Sequence, residues 1–177
     1  MENKKSIFQR AGEWGIPFGL YLACAAMTYI FSDYFQPLSL LFIVMCACVP
    51  MVVYFFQRRK FIEDDGFTEY AGLWMLGIML FLLGTLVASF IVYLVLQHVR
   101  PTFMYDQAQV IINTSQQVPG VIDDELLQII KRMVDEKLMP TPIEIVMSMY
   151  WLVTFMGSLI SAITAFIAHR PINRRRK

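Results

Sequence analysis

Few side chains in this sequence could do chemistry. Three cysteines, Cys24, Cys46 and Cys48, are its only thiols, and two histidines, His98 and His169, its only near-neutral side-chain bases. Cys24 falls near the middle of one apolar run, and Cys46 and Cys48 fall near the middle of the next. Antiparallel neighbours would set all three at similar depth, which makes a thiol cluster for a metal or for redox chemistry conceivable. Against it, Cys46 and Cys48 are two apart on a helix and point to different faces, and a free cysteine behaves as a small apolar side chain. Because the thiols lie within apolar runs, an extracytoplasmic disulfide framework is excluded. They are read as reduced thiols, and no metal or cofactor is expected. His98 and His169 end two different apolar runs, on opposite sides of the membrane in the topology derived below. Neither can serve the other in acid–base or nucleophilic catalysis, which needs groups within hydrogen-bond reach. Each reads as an interfacial side chain, no catalytic residue is assigned, and no enzyme activity is expected.

The elements that position these residues are set by a blockwise pattern. Hydrophobic residues make up 57% and charged residues 16% of the chain, against about 45–50% apolar in a soluble domain. The charges gather between four long apolar runs, at about residues 14–32, 38–57, 70–98 and 145–168. Trp14 to Phe31 holds no charged residue over eighteen positions. At roughly 1.5 Å per residue that is about 27 Å, close to a hydrocarbon core of about 30 Å. A short connection makes the first two runs an antiparallel hairpin. The third is longer than a bilayer requires and should tilt or project. Lys4, Lys5 and Arg10 before the first run, with Ala23, Cys24, Ala25 and Ala26 inside it, resemble a secretory signal. The run exceeds the roughly 7–15 residues of such a core, however, and Tyr21 stands where a lipoprotein signal wants leucine, so the segment is read as a retained span. The sequence therefore predicts an all-α integral membrane protein with four transmembrane helices in an up-down arrangement. A helical extracytoplasmic insertion, about residues 100–143, separates the third and fourth.

Lysine and arginine hold flanking segments on the cytoplasmic side. Counted on alternate sides, eleven fall with the N-terminus, the Arg58-Arg59-Lys60 connection and the C-terminus, and four fall with the other two connections. Both termini are predicted to be cytoplasmic. The terminal Arg174, Arg175, Arg176 and Lys177 read as a topology anchor facing lipid headgroups, with no nucleic-acid partner. No Asp, Glu, Lys or Arg lies inside a run, and the runs show no internal symmetry. Both features disfavour a conventional ion-coupled transporter.

The outer segment divides at Pro119-Gly120, a turn dipeptide. Beyond it Ile122, Leu126, Ile129 and Met133 recur at helical spacing, with polar side chains opposite. Asp123, Asp124 and Glu125 sit at the positive end of that helix. Together with Gln128, Lys131 and Arg132 they are the candidate partner-docking residues. The segment carries seven acidic against four basic residues, which disfavours an anionic lipid surface; its own bundle, a second copy or a partner protein remain as cover. Within the runs, small residues permit close helix approach: Gly77, Gly84 and Ala88 in the third, and Gly157, Ser161 and Ala165 in the fourth, much of this at four-residue spacing. The contact is assigned to the bundle itself rather than to an oligomer. Pro50 is expected to kink the second helix by displacing the Cys46 carbonyl.

The layout resembles a known family. The Arg58-Arg59 connection, Gly66-Phe67-Thr68 before the long third helix, Tyr93 and Arg100-Pro101 at its outer end, and Pro140-Thr141-Pro142 before the last helix are similar to the bacterial membrane proteins registered as domain of unknown function 4199. That resemblance implies a four-helix fold in the bacterial inner membrane and implies no activity. The expected role is a structural or protein-interaction component of the bacterial inner membrane, with the lipid bilayer and a second copy or membrane protein as partners. The second reading is an accessory subunit of a transport or envelope system.

Overall fold

The computed structural model describes residues 6–117, 123–136 and 138–170, apart from the side chains of Gln117 and Asp124. Lys4, Lys5, the Pro119-Gly120 turn, Ile122 and the basic tail from Arg174 to Lys177 lie outside the described residues. Those described form helices and no strand: α1 (Ile7–Ile30), α2 (Pro37–Glu63), α3 (Tyr70–His98), α4 (Phe103–Gln117), α5 (Asp124–Asp135) and α6 (Pro142–Ala168).

Local chemistry explains where these helices begin and end. The Ser6 hydroxyl accepts from the Gln9 amide while the Gln9 side chain accepts from the Ser6 amide. This capping box starts α1 well before Trp14 and places Arg10 and Glu13 on the helix. Pro37 opens α2, where its missing N–H costs nothing. α2 runs past Gln57 and through Arg58-Arg59-Lys60, because charge by itself does not break a helix. It ends where Asp65 (φ 56) and Gly66 (φ 84) turn left-handed. The Gly66 amide donates to the Phe61 carbonyl at 2.9 Å and the Asp65 amide to Ile62 at 3.0 Å, the Schellman closure of a helix.

The chain divides into two compact units, residues 1–92 with 148–177, and residues 93–147. In the first, the register of side chains gives the helix directions. Arg10 meets Glu63, Trp14 stacks on Phe56, the Tyr21 hydroxyl reaches the Met45 carbonyl and Tyr29 meets Phe42, so α1 and α2 are antiparallel. Gly72 lies against Ile7, Gly15 against Leu83 and Gly19 against Gly84 and Val87, so α1 and α3 run parallel. The Tyr70 hydroxyl donates to Ala162, the Trp74 indole to Ser158, and Gly157 lies on the Phe81 ring, so α3 and α6 are antiparallel. The core between them includes Phe18, Val53, Leu76, Leu80 and Phe81, with Phe61, Leu73, Ala165 and Ala168 in a second cluster.

The core is apolar but, unlike in a soluble domain, so is much of the outer surface. Ile43, Met51 and Phe55 on α2, Leu86 and Phe90 on α3, and Trp151, Phe155 and Phe166 on α6 all point outward, whereas Gln57, Ser161, Thr85 and Thr164 are buried. Three helices, α2, α3 and α6, are long and apolar enough to cross a membrane. α1 has 24 residues but is diluted by Trp14, Gly15, Pro17, Gly19 and Tyr21.

In the second unit α4 packs on α5 through Ala108, Ile112 and Val134, with Leu127 and Ile130 alongside. Asp123 caps α5 by accepting from the Glu125 amide. The sequence reading left the whole α5 stripe seeking a cover; α4 supplies one for half of it. Leu126, Ile129 and Met133 stay exposed. The Thr141 amide donates to the Glu144 carboxylate at 2.9 Å. That bond, with the Thr141 hydroxyl second, holds the Glu144 carboxyl below its ordinary pKa and opens α6.

Candidate functional site

Gln57 is the most deeply buried polar side chain on α2. Its Nε2 lies within hydrogen-bonding distance of the Leu73 carbonyl at 3.2 Å, the Ser161 carbonyl at 3.1 Å and Ser161 Oγ at 3.0 Å, while Ser161 Oγ donates to the Trp74 carbonyl at 3.1 Å. One amide thus ties α2, α3 and α6 together. Gly77 makes the room: a Cβ there would stand 1.8 Å from Ser161 Oγ. Gln57, where the apolar run closes, is packed inward: its Nε2 finds helix carbonyls that can accept a second bond, while its Oε1 is buried without a hydrogen-bond partner among the described residues. Each such interhelical bond contributes about 0.6 kcal/mol, at most about 1.7.

A ring of charges closes the same end of this unit. Arg10 pairs with Glu63 at 2.6 Å and Arg59 pairs with it at 3.1 Å, and both guanidiniums lie over the Trp14 ring. Lys60, nearly buried, pairs with Asp64 at 3.0 Å. Arg58 donates to the Ala168 and Arg170 carbonyls at 2.8 and 2.7 Å, a cation at the negative end of α6. Phe61 takes Arg58 and His169 on its ring. Within the basic run, Arg58 thus reaches α6 and Arg59 the Trp14 ring of α1, while the Lys60–Asp64 pair lies along the end of α2 itself. Glu63→Gln should lower stability by about 1 kcal/mol, since both partners keep some solvent exposure. Thermal melts in detergent at low salt check this; an unchanged midpoint shows that the Glu63 pairs contribute nothing.

The small residues fall into two seams. Gly77, Ser161 and Gly157 lie where α3 meets α6, with Gly157 against the Phe81 ring. Gly84 faces α1, against Phe18 and the backbone of Gly15 and Gly19. Ala88, Ser161 and Ala165 are buried. Sequence reasoning passed over Gly15 and Gly19, although their four-residue spacing is a close-approach signal. α2 continues through Pro50, and the Tyr21 hydroxyl donates to the Met45 carbonyl at 2.6 Å, in the turn where proline removes a backbone donor.

The remaining candidates are dispersed. The cysteines are free, and Cys24 and Cys46 are exposed. His98 Nδ1 lies 3.2 Å from the Leu94 carbonyl of its own helix. Among the described residues no cluster of His, Cys, Asp and Glu could hold a metal ion. On α5, Glu125, Gln128 and Arg132 are exposed and Lys131 is half-buried, while Asp123 is used as the cap.

Residues 13–170 match the family model described as protein of unknown function (DUF4199). The chain belongs to this family. The resemblance drawn from the Arg58-Arg59 connection, Gly66-Phe67-Thr68 and Pro140-Thr141-Pro142 is correct, and the DUF4199 match takes in the Gln57 node, both glycine seams and the α4–α5 hairpin. No curated protein and no solved structure matches the chain.

Proposed function

We propose that this DUF4199 protein is a four-span membrane bundle, up-down in arrangement, whose work is protein interaction through the α4–α5 hairpin. The observation that carries the membrane reading is the outward belt of large apolar side chains. It continues onto α1 at Ile16 and Leu20, so the one helix too dilute to qualify by composition shares the surface of the other three. α1 also follows α3 in parallel, as a fourth span of an alternating bundle must. The membrane is the bacterial inner membrane. The end that carries Arg10, Arg58, Arg59, Lys60 and Arg170 lies in the cytoplasm, by the preference of basic residues for that side. The hairpin then lies outside, where α5 offers Leu126, Ile129 and Met133 amid charged neighbours.

An N-terminal epitope and single cysteines in a cysteine-free background test the topology. The epitope and a Glu69→Cys thiol should be reached only after permeabilisation, whereas Asp33→Cys and Gln116→Cys should be labelled on intact cells by an impermeant maleimide. An epitope accessible from outside, with Asp33→Cys also labelled there, would mean that α1 does not cross.

A further inference from the structure

We infer that the exposed face of α5 binds α5 of a second copy in antiparallel register, centred near Ile129. This rests on the reading of the hairpin as a docking element and names its partner. On a helix of 3.6 residues per turn, Leu127, Ile130 and Val134 share the face packed on α4, and Leu126, Ile129 and Met133 share the neighbouring face, left exposed. Glu125 and Arg132 are two turns apart, so they fall on one flank of that exposed face, away from α4. Both are exposed, and among the described residues neither has an ion-pair partner. In an antiparallel helix pair like flanks meet. A two-fold axis near Ile129 therefore sets Leu126 of one copy on Met133 of the other, Ile129 on Ile129, and Glu125 opposite Arg132 twice over. The face matches itself in the order of both its apolar and its charged residues, as an isologous interface must.

Other covers fit less well. The seven acidic against four basic residues of the outer segment oppose adsorption to anionic headgroups. One helix face is small beside a usual protein interface, but two copies held in one bilayer have already lost much of the freedom that association costs.

The experiment uses the full chain, labelled with donor and acceptor dyes, in vesicles of phosphatidylethanolamine and phosphatidylglycerol diluted over a range of lipid ratios. Energy transfer should report a dimer. Glu125→Arg and Arg132→Glu should each weaken it about tenfold, replacing two attractive pairs by two repulsive ones. The combined E125R/R132E chain should return to within about threefold of the parent, and Ile129→Glu should weaken it by a hundredfold or more. Glu125 in the first turn and Arg132 in the last turn of α5 both suit its dipole, so each reversal should lower the melt slightly and the double exchange more, whereas pairing returns in the double. Those opposite trends separate loss of pairing from loss of fold. A monomer at every lipid ratio, or a dimer indifferent to the charge exchange, overturns the inference. A photo-crosslinker at position 129 in cell membranes separates this from failure of the docking reading. An adduct with a second copy supports the inference. An adduct with a different protein overturns it but leaves docking standing, and an adduct with lipid alone removes both.

Discussion

Gly77→Ala is expected to destabilise the bundle by about 3 kcal/mol or more, at or beyond the upper end of ordinary overpacking. The added Cβ would lie 1.8 Å from Ser161 Oγ and 2.7 Å from both Ser161 Cβ and Gln57 Nε2. A hydroxyl can rotate away, but Ser161 Cβ moves only with α6, so the α3–α6 seam must open. Opening it stretches the Gln57 bonds that hold α2 to the other two helices. Gly12→Ala is the internal control: a Cβ there meets nothing within 4 Å, and on an exposed helix alanine should be neutral or favourable by about 0.5–1 kcal/mol. Adding Ser161→Gly to Gly77→Ala removes the two worst contacts and should recover part of the loss, a coupling diagnostic of direct contact. Unfolding midpoints in a mixed-detergent titration measure all four chains. A Gly77→Ala protein as stable as the parent would show that α3 and α6 do not approach in this register.

Gly19→Val should detach α1. Any Cβ at position 19 would come within 2.7 Å of the Gly84 carbonyl oxygen and of Val87 Cβ. The first of these is backbone and has no rotamer to escape into. α1 is not among the helices long and apolar enough to cross a membrane, so its docking should depend on this close approach to α3. The expected result is a folded remainder with α1 displaced. Ala11→Cys, buried in the parent, should become reactive to maleimide in the Gly19→Val background, in a chain otherwise free of cysteine. Gly84→Ala should act in the same direction, through the Phe18 ring that packs against it. Unchanged Ala11→Cys labelling would mean that α1 is held elsewhere.

The helical class could be read directly from the residues, because long apolar runs interrupted by charge leave the backbone few alternatives in lipid. The amphipathic pattern of α5 was equally open, being a local periodicity. The end of α2 is not legible in the apolar run, which closes at Gln57 while the helix continues to Glu63 and ends before the left-handed pair Asp65-Gly66. Gly66 carries no local signal beyond the family resemblance. Gly15 and Gly19 sit inside a run whose apolar continuity masks their spacing. Nothing local says that two amphipathic segments, α4 and α5, will spend their apolar faces on each other.

The sequence by itself determined what is local: the all-α class, the length and apolarity of α2, α3 and α6, the polar and amphipathic insertion, and the family. Tertiary structure decided which faces meet. The Gln57 Nε2 is satisfied inside because the Ser161 and Leu73 carbonyls are there to accept from it. Gly77 and Gly84, seven residues apart on one helix, serve two different neighbours because α6 and α1 approach α3 at different heights. Hydropathy and period are properties of a segment, while partner choice is a property of pairs of segments far apart in the chain.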